Sequence, residues 1–336
     1  MRQEIGEIPD AIGRLIDAAP AMIEPAAIEI RRTRPKLIAT IARGSSDHCA
    51  TYLKYAFEIA AGIPVASLGP SVASIYGSRL RLSECASISI SQSGMSPDIV
   101  EATRAAREGG AVVVSITNTA HSPLAAVSDH TFDISAGPER SVAATKTFIN
   151  SLVAGLLLLG YWRADKELLE ALARLPEQCG RALACDWSPL LERLKVADSL
   201  YVLGRGPSFA IANEVALKFK ETCQIQAEAY SAAEVMHGPV SIVQAGFPVL
   251  AVAGRDASLN STLSAADSLA ANRADVFVTA DGAEGAAQLD TVATGHPLTD
   301  PIPTLVSFYA FVEALARARG RNPDTPPNLK KVTQTA

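Results

Sequence analysis

Two stretches of this chain share one grammar at a distance of 162 residues. "KLIATIARGSSDHCATYLKYAFE", from Lys36, is a short apolar run, a turn at Arg43–Ser46 and then a helical pattern. "SLYVLGRGPSFAIANEVALKFKE", from Ser199, repeats it around a turn at Arg205–Ser208. The same offset carries Ala86–Ile90 onto Pro248–Val252, and "VVVSITN" at Val112 onto the region of "VFVTA" at Val276. Three coincident strands at one offset mark an internal duplication of an α/β unit, with a period too long for a solenoid. Strands of near-continuous Val, Ile and Ala, alternating with helical stretches, predict parallel sheets covered by helices on both faces. The expected organisation is an N-terminal helical segment over 1–29, a first copy over 30–165, a connector over 166–184, a second copy over 185–325 and a tail over 326–336. "RLPEQCGRALACDWSPL" reads as the boundary, a helical connector that ends near Pro189.

Composition narrows the function classes. With 336 residues, 48% hydrophobic and 19% charged, the chain is expected to be compact and to hold a sizeable core. A net charge of -5 and no basic stripe argue against nucleic acid as a partner. The longest apolar run, Ser151–Trp162, is too short for a bilayer and suits a buried helix, so no membrane association is expected. The first residues, "MRQEIGEIPDAIGRLIDA", read as an amphipathic helix with acidic positions, unlike a signal peptide. Five cysteines without a CxxC pair point to a reducing cytoplasm, and neither they nor five scattered histidines show metal-ligand spacing.

The densest polar signal is "SISISQSGMSPD", Ser87–Asp98, where a buried strand hands over to a helix that opens at Pro97. In an open parallel sheet, ligands bind at the carboxyl ends of strands, beside helix N-termini. Ser96 is placed as N-cap and Pro97 as first helical residue. The amides and the dipole of that helix attract an anion, while Ser91, Gln92, Ser93 and Ser96 add neutral donors and Gly94 lets backbone come close. Ser45 and Ser46 stand at the neighbouring strand end. Singly, such residues cap helices and fill turns; together they predict a phosphate site. The lack of lysine in the loop fits a small phosphate monoester better than a nucleotide. The second copy has "AVAGRDAS" there, so one such site per chain is expected.

In "NEVALKFKETCQIQAEAYSAAEVMHGPVS", Glu214, Lys218 and Glu221 fall on one helix face. That spacing is equally that of a solvated, ion-paired face. The surroundings are small and apolar, however, and charges in such a setting need a reason. The spacing alone leaves both readings open.

The motifs "ARGSSD", "SQSGMSPDIV", "AGPERSVAATKTF", "LGRGPSFAIANEVALKFKE", "EAYSAAEVMHGP" and "NLKKVTQT" resemble, in this order, the tandem SIS (sugar isomerase) domains. They are most similar to the isomerase half of glutamine–fructose-6-phosphate aminotransferase and to the stand-alone SIS glucosamine-6-phosphate deaminases. The resemblance implies an α/β fold of two similar three-layer, flavodoxin-like subdomains, and no metal or organic cofactor. It implies that Glu221 moves a proton between C1 and C2 of the open-chain sugar. His237 would assist ring opening from the partner subunit of a homodimer, and Lys331 would lie in a C-terminal loop over the substrate. Lys218 and Glu214 match supporting positions. Ser45, Ser46, Ser91, Gln92, Ser93 and Ser96 match the phosphate binders, and Val142 and Ala144 the loop passing the sugar. Ala144 replaces a serine of the aminotransferase. The aminotransferase's N-terminal glutaminase domain has no counterpart here.

The expectation is therefore an enzyme that converts glucosamine 6-phosphate to fructose 6-phosphate and ammonia. Alternatives are a fructosamine-6-phosphate deglycase, a plain aldose–ketose phosphosugar isomerase, and a non-catalytic phosphosugar-binding regulator.

Overall fold

The computed structural model describes residues 1–331. Within the tail expected over 326–336, residues 332–336 lie outside the described residues. The chain forms two units, each assembled from separate segments. The N-terminal unit comprises Asp10–Glu139, Lys146–Ala173 and the chain from Lys330; the C-terminal unit comprises Met1–Pro9, Arg140–Thr145 and Arg174–Leu329.

The N-terminal unit holds β1 (Leu37–Ile41), β2 (Val65–Ser67), β3 (Cys85–Ile90), β4 (Val112–Thr117) and β5 (His130–Asp133) in a parallel sheet of order β2-β1-β3-β4-β5. The C-terminal unit holds β6 (Ser199–Gly204), β7 (Gln226–Ser231), β8 (Pro248–Ala251), β9 (Asp275–Val278) and β10 (Ala287–Gln288), ordered β10-β9-β8-β6-β7 and again parallel. Read from the opposite edge, the second order is the first, and both are the flavodoxin-like arrangement. β1 and β6 begin at Leu37 and Ser199, so the repeat seen in the sequence is a repeat of the fold.

Burial explains the strand composition. β3 and β4 are buried along five of their six positions, because helices cover both faces. Two of their polar side chains are matched locally, the Thr103 hydroxyl donating to Ser89 Oγ at 2.8 Å and Ser115 Oγ lying 3.0 Å from Thr131 Oγ1, whereas buried Ser87 Oγ has no hydrogen-bond partner among the described residues. The apolar run Ser151–Trp162 belongs to a helix, Lys146–Arg163, that is buried along most of its length and packs on the helices Glu24–Thr33 and Ser45–Ala61. Gly155 makes that packing possible, since a Cβ there would sit 2.3 Å from Leu53 Cδ1. Among the described residues no helix is long and apolar enough to cross a membrane.

Prolines redraw two sequence boundaries. The first stretch is two helices, Arg2–Gly6 and Ile8–Met22, rather than one. Pro9 lacks an amide proton and fits the first turn of a new helix, not the interior of a continuous one. For the same reason Pro189 opens the helix Ser188–Leu194 instead of closing the connector. His130 opens β5 and lies 2.6 Å from Glu29. All five cysteines are free thiols.

Candidate active site

The strand order of the N-terminal unit reverses between β1 and β3, the place where an open parallel sheet leaves a crevice at its carboxyl edge. The chain leaving β1 turns through Gly44 straight into the helix Ser45–Ala61, so Ser45 and Ser46 are its first two residues. Gly44, with φ +57 and ψ -134, takes the N-cap position and offers no side chain to the helix amides. The chain leaving β3 folds its own hydroxyls inward. Gly94 N donates to Ser91 Oγ and Met95 N to Ser93 Oγ, both at 3.3 Å. The Gln92 carbonyl accepts from Asn118 N at 3.0 Å, which ties the loop to the end of β4. Ser96 is the N-cap and Pro97 the first residue of the helix Pro97–Glu108, as expected, but the Ser96 side chain makes no capping bond.

Between these two turns lies a cavity of about 420 Å³, lined by Gly44, Ser46, Ser91, Gln92, Ser93 and Ser96. Ser45 precedes Ser46 in the same helical turn and is not among the lining residues. Two cations also line it. Lys331 enters from the tail and places Nζ 2.9 Å from Glu139 Oε2. Arg43 pairs with Asp98, a carboxylate buried in the first turn of the second helix. The sequence reading of a ring of neutral donors is thus incomplete. Arg43 stood in plain view in "ARGSSD", but its role depends on β1 and β3 being neighbours, which spacing along the chain does not reveal.

The C-terminal unit carries the charged cluster on the helix Pro207–Lys218. The sequence reading put Glu214, Lys218 and Glu221 on one α-helical face. The helix instead ends at Lys218 and continues as a π-turn over Phe219–Cys223, closed by Gln224 at φ +55. The wider turn is held by Thr222 Oγ1 on the Lys218 carbonyl at 2.7 Å. It leaves Lys218 Nζ 3.2 Å from Glu214 Oε1 and 2.6 Å from Glu221 Oε2. Tyr309 OH donates to Glu214 Oε1 at 3.3 Å. Glu214 and Lys218 expose none of their side chains, whereas Glu221 exposes 20%, so only Glu221 offers its carboxylate to a ligand. Burial pushes the Lys218 ammonium towards neutrality, but Glu214 and Glu221 outweigh it and hold its pKa above the ordinary lysine value. A charged lysine therefore clamps the one accessible carboxylate from behind.

His237 is exposed at the end of a 3₁₀ turn, Val235–His237, and among the described residues its ring makes no hydrogen bond to this cluster. Val142 and Ala144 also belong to the C-terminal unit, both half-buried in the segment Arg140–Thr145. Glu4 Oε1 accepts from Arg140 N and Ser141 N, while Asp324 takes the Ser141 hydroxyl at 3.0 Å and Val142 N at 3.3 Å. Nothing in the sequence pointed to Glu4 or Asp324, which meet this segment only through long-range folding.

In the second copy the equivalent turns lie close together. Asp256 stands at the position equivalent to Gly94 and accepts from Ser258 N and Oγ at 2.7 and 2.6 Å. A Cβ on Gly254 would lie 2.7 Å from Ser208 Oγ, so the turns after β6 and β8 are already in contact. Among the described residues there is no cluster of three or more His, Cys, Asp or Glu side chains suited to a metal.

The family model for the SIS domain matches residues 33–160 and 193–318. The glutamine–fructose-6-phosphate aminotransferase [isomerizing] of Symbiobacterium thermophilum is 32% identical over 98% of this chain, and the chain spans 58% of that relative's length. Among solved structures, a protein from Silicibacter pomeroyi DSS-3 assigned as a phosphosugar isomerase is 54% identical with a TM-score of 0.94, covering 96% of this chain and 99% of that one. The C-terminal domain of glucosamine-fructose-6-phosphate aminotransferase from Francisella tularensis is 27% identical with a TM-score of 0.85, covering 97% and 98%.

Proposed function

The chain belongs to the SIS domain family of phosphosugar isomerases, and from that premise we propose that it deaminates and isomerises glucosamine 6-phosphate to fructose 6-phosphate and ammonia. The observation that carries this reading is Glu221, an accessible carboxylate held by a fully buried lysine, in a chain that also owns a cavity of hydroxyls at a strand-order reversal. In this reading the phosphate is a remote handle whose binding orients the reacting carbons.

His237, reaching a neighbouring subunit's substrate in a homodimer, helps open the sugar ring. Glu221 then takes the proton from C2 of the open-chain aldehyde and returns it to C1, while the amine loses a proton and O1 gains one, which turns the amino aldehyde into a 2-imino alcohol. Water adds to the imine, and ammonia leaves as the ketone forms. Lys331 supplies positive charge near the carbonyl end, where the enolate oxygen develops. Lys218 and Glu214 keep the base in place. Val142 and Ala144 pass the sugar carbons. None of these steps calls for a metal or an organic cofactor.

The test is to supply purified protein with glucosamine 6-phosphate and measure ammonia and fructose 6-phosphate in equal amounts. Their absence alongside turnover of another phosphosugar would replace the substrate and keep the isomerase class. Glu221→Gln should lower kcat by 10²–10⁴-fold with phosphate binding retained, the usual worth of a positioned general base. Undiminished turnover in that variant would remove Glu221 from the mechanism.

A further inference from the structure

We infer that Arg43 is a direct phosphate ligand, and that buried Asp98 is the positioning residue that presents it; the inference rests on the cavity of the N-terminal unit taking a phosphate monoester. Arg43 follows β1 and Asp98 follows β3, so their ion pair spans the strand-order reversal and joins the two turns that build the cavity. The Asp98 side chain is 1% exposed, and its oxygens accept no hydrogen bond from any described residue. A carboxylate so deeply buried needs a cation, and Arg43 is the only one it has among the described residues.

The Arg43 side chain is itself 46% exposed, and its closest approach to Asp98 is through Nε. Its two terminal amino groups have no acceptor among the described residues, while Arg43 lines the same cavity as Ser91, Ser93 and Ser96. A guanidinium fixed at its inner edge, with its fork left over, matches the planar geometry in which arginine grips phosphate oxygens. The hydroxyls provide direction without charge. Arg43 adds the charge-assisted bonds that favour an ester carrying two negative charges over neutral sugars.

Arg43 as a mere counterion for Asp98 makes a different prediction. The neutral pair R43Q/D98N removes both charges at once, leaving the net charge of the cavity wall unchanged and no buried carboxylate stranded. Titrating the full chain calorimetrically with inorganic phosphate at pH 8 separates the two. If Arg43 is a ligand, R43Q/D98N binds phosphate about 10–100-fold more weakly, the scale of hydrogen bonds to a charged group, while its thermal midpoint stays near that of the parent. R43K keeps the cation but not the fork and should lose affinity by a smaller factor. Parental affinity in both variants overturns the inference. Should the double variant not fold, R43K decides: parental affinity overturns the inference and a loss of several-fold supports it. Failure of the parent protein to bind phosphate would instead overturn the reading of the cavity. Loss of binding in S91A/S93A together with full binding in R43Q/D98N would keep that reading and remove Arg43 from it.

Discussion

Lys218 has no exposed surface and sits between Glu214 and Glu221, so its ammonium is balanced by two carboxylates, one of them equally buried. Breaking a buried pair by removing one partner costs about 3–5 kcal/mol, because the remaining charge stays where water cannot reach it. Lys218→Met should therefore lower unfolding free energy by roughly that amount in urea titrations. Activity should fall with it, as Glu221 loses the group that holds it. The cluster was half legible: i, i+4 and i+7 spacing brought the three residues to notice in an apolar stretch. The spacing could not say which carboxylate is buried and which exposed, since that follows from a π-turn fixed by Thr222 and from Tyr309 in a distant helix.

At the scale of elements, the loop after β3 depends on one glycine. Gly94 has φ +62, and a Cβ there would stand 2.2 Å from Ser122 Oγ and 2.5 Å from Ser122 Cβ. Gly94→Ala should destabilise the protein by roughly 1–3 kcal/mol and weaken phosphate binding, as the loop must move to make room. Thermal unfolding and phosphate titration together check it, and an alanine variant with parental values for both would show that the loop is not constrained there. The loop's hydroxyls were readable because serines, a glycine and a proline at a strand-to-helix junction have few other uses in combination. Of the two cations of the cavity, Arg43 was not, since its place depends on Asp98, a partner brought in by topology, and Lys331 was named only through the family resemblance.

The segment Arg140–Thr145 carries a pH signature of its own. Burial raises the Glu4 carboxyl, but the Ser141 hydroxyl and the amides of Arg140 and Ser141 outweigh it and hold its pKa below the ordinary 4.5. A carboxyl lowered in the folded state contributes stability that is complete above 4.5 and is lost as pH falls through the folded value. Glu4→Gln keeps an acceptor for the amides and loses the charge. It should consequently lose less stability than the parent between pH 6 and pH 3 in paired urea titrations; equal losses would show that Glu4 does not titrate with folding.

For the whole molecule, duplication of the fold is not duplication of the site. The two sheets share one strand order, but Asp256 brings a carboxylate where the first copy has Gly94, and the second pair of turns lies close together at Ser208 and Gly254. Calorimetric titration with inorganic phosphate should therefore return one equivalent per chain. Two equivalents would mean that the second copy still opens. The duplication was visible because the strand pattern is preserved at a fixed offset. The traffic of segments between units was not, for nothing local in Met1–Pro9 or Arg140–Thr145 announces which sheet each will serve.

That traffic bears on how the polypeptide is made. Met1–Pro9 is translated well before the rest of its unit, which runs on to Leu329, and the N-terminal unit still receives Lys331 after that. Neither unit can be complete until its last segment, ending at Leu329 in one and beginning at Lys330 in the other, has been made. Met1–Pro9 must therefore wait without its sheet until the other segments of its unit, Arg140–Thr145 and Arg174–Leu329, have been made.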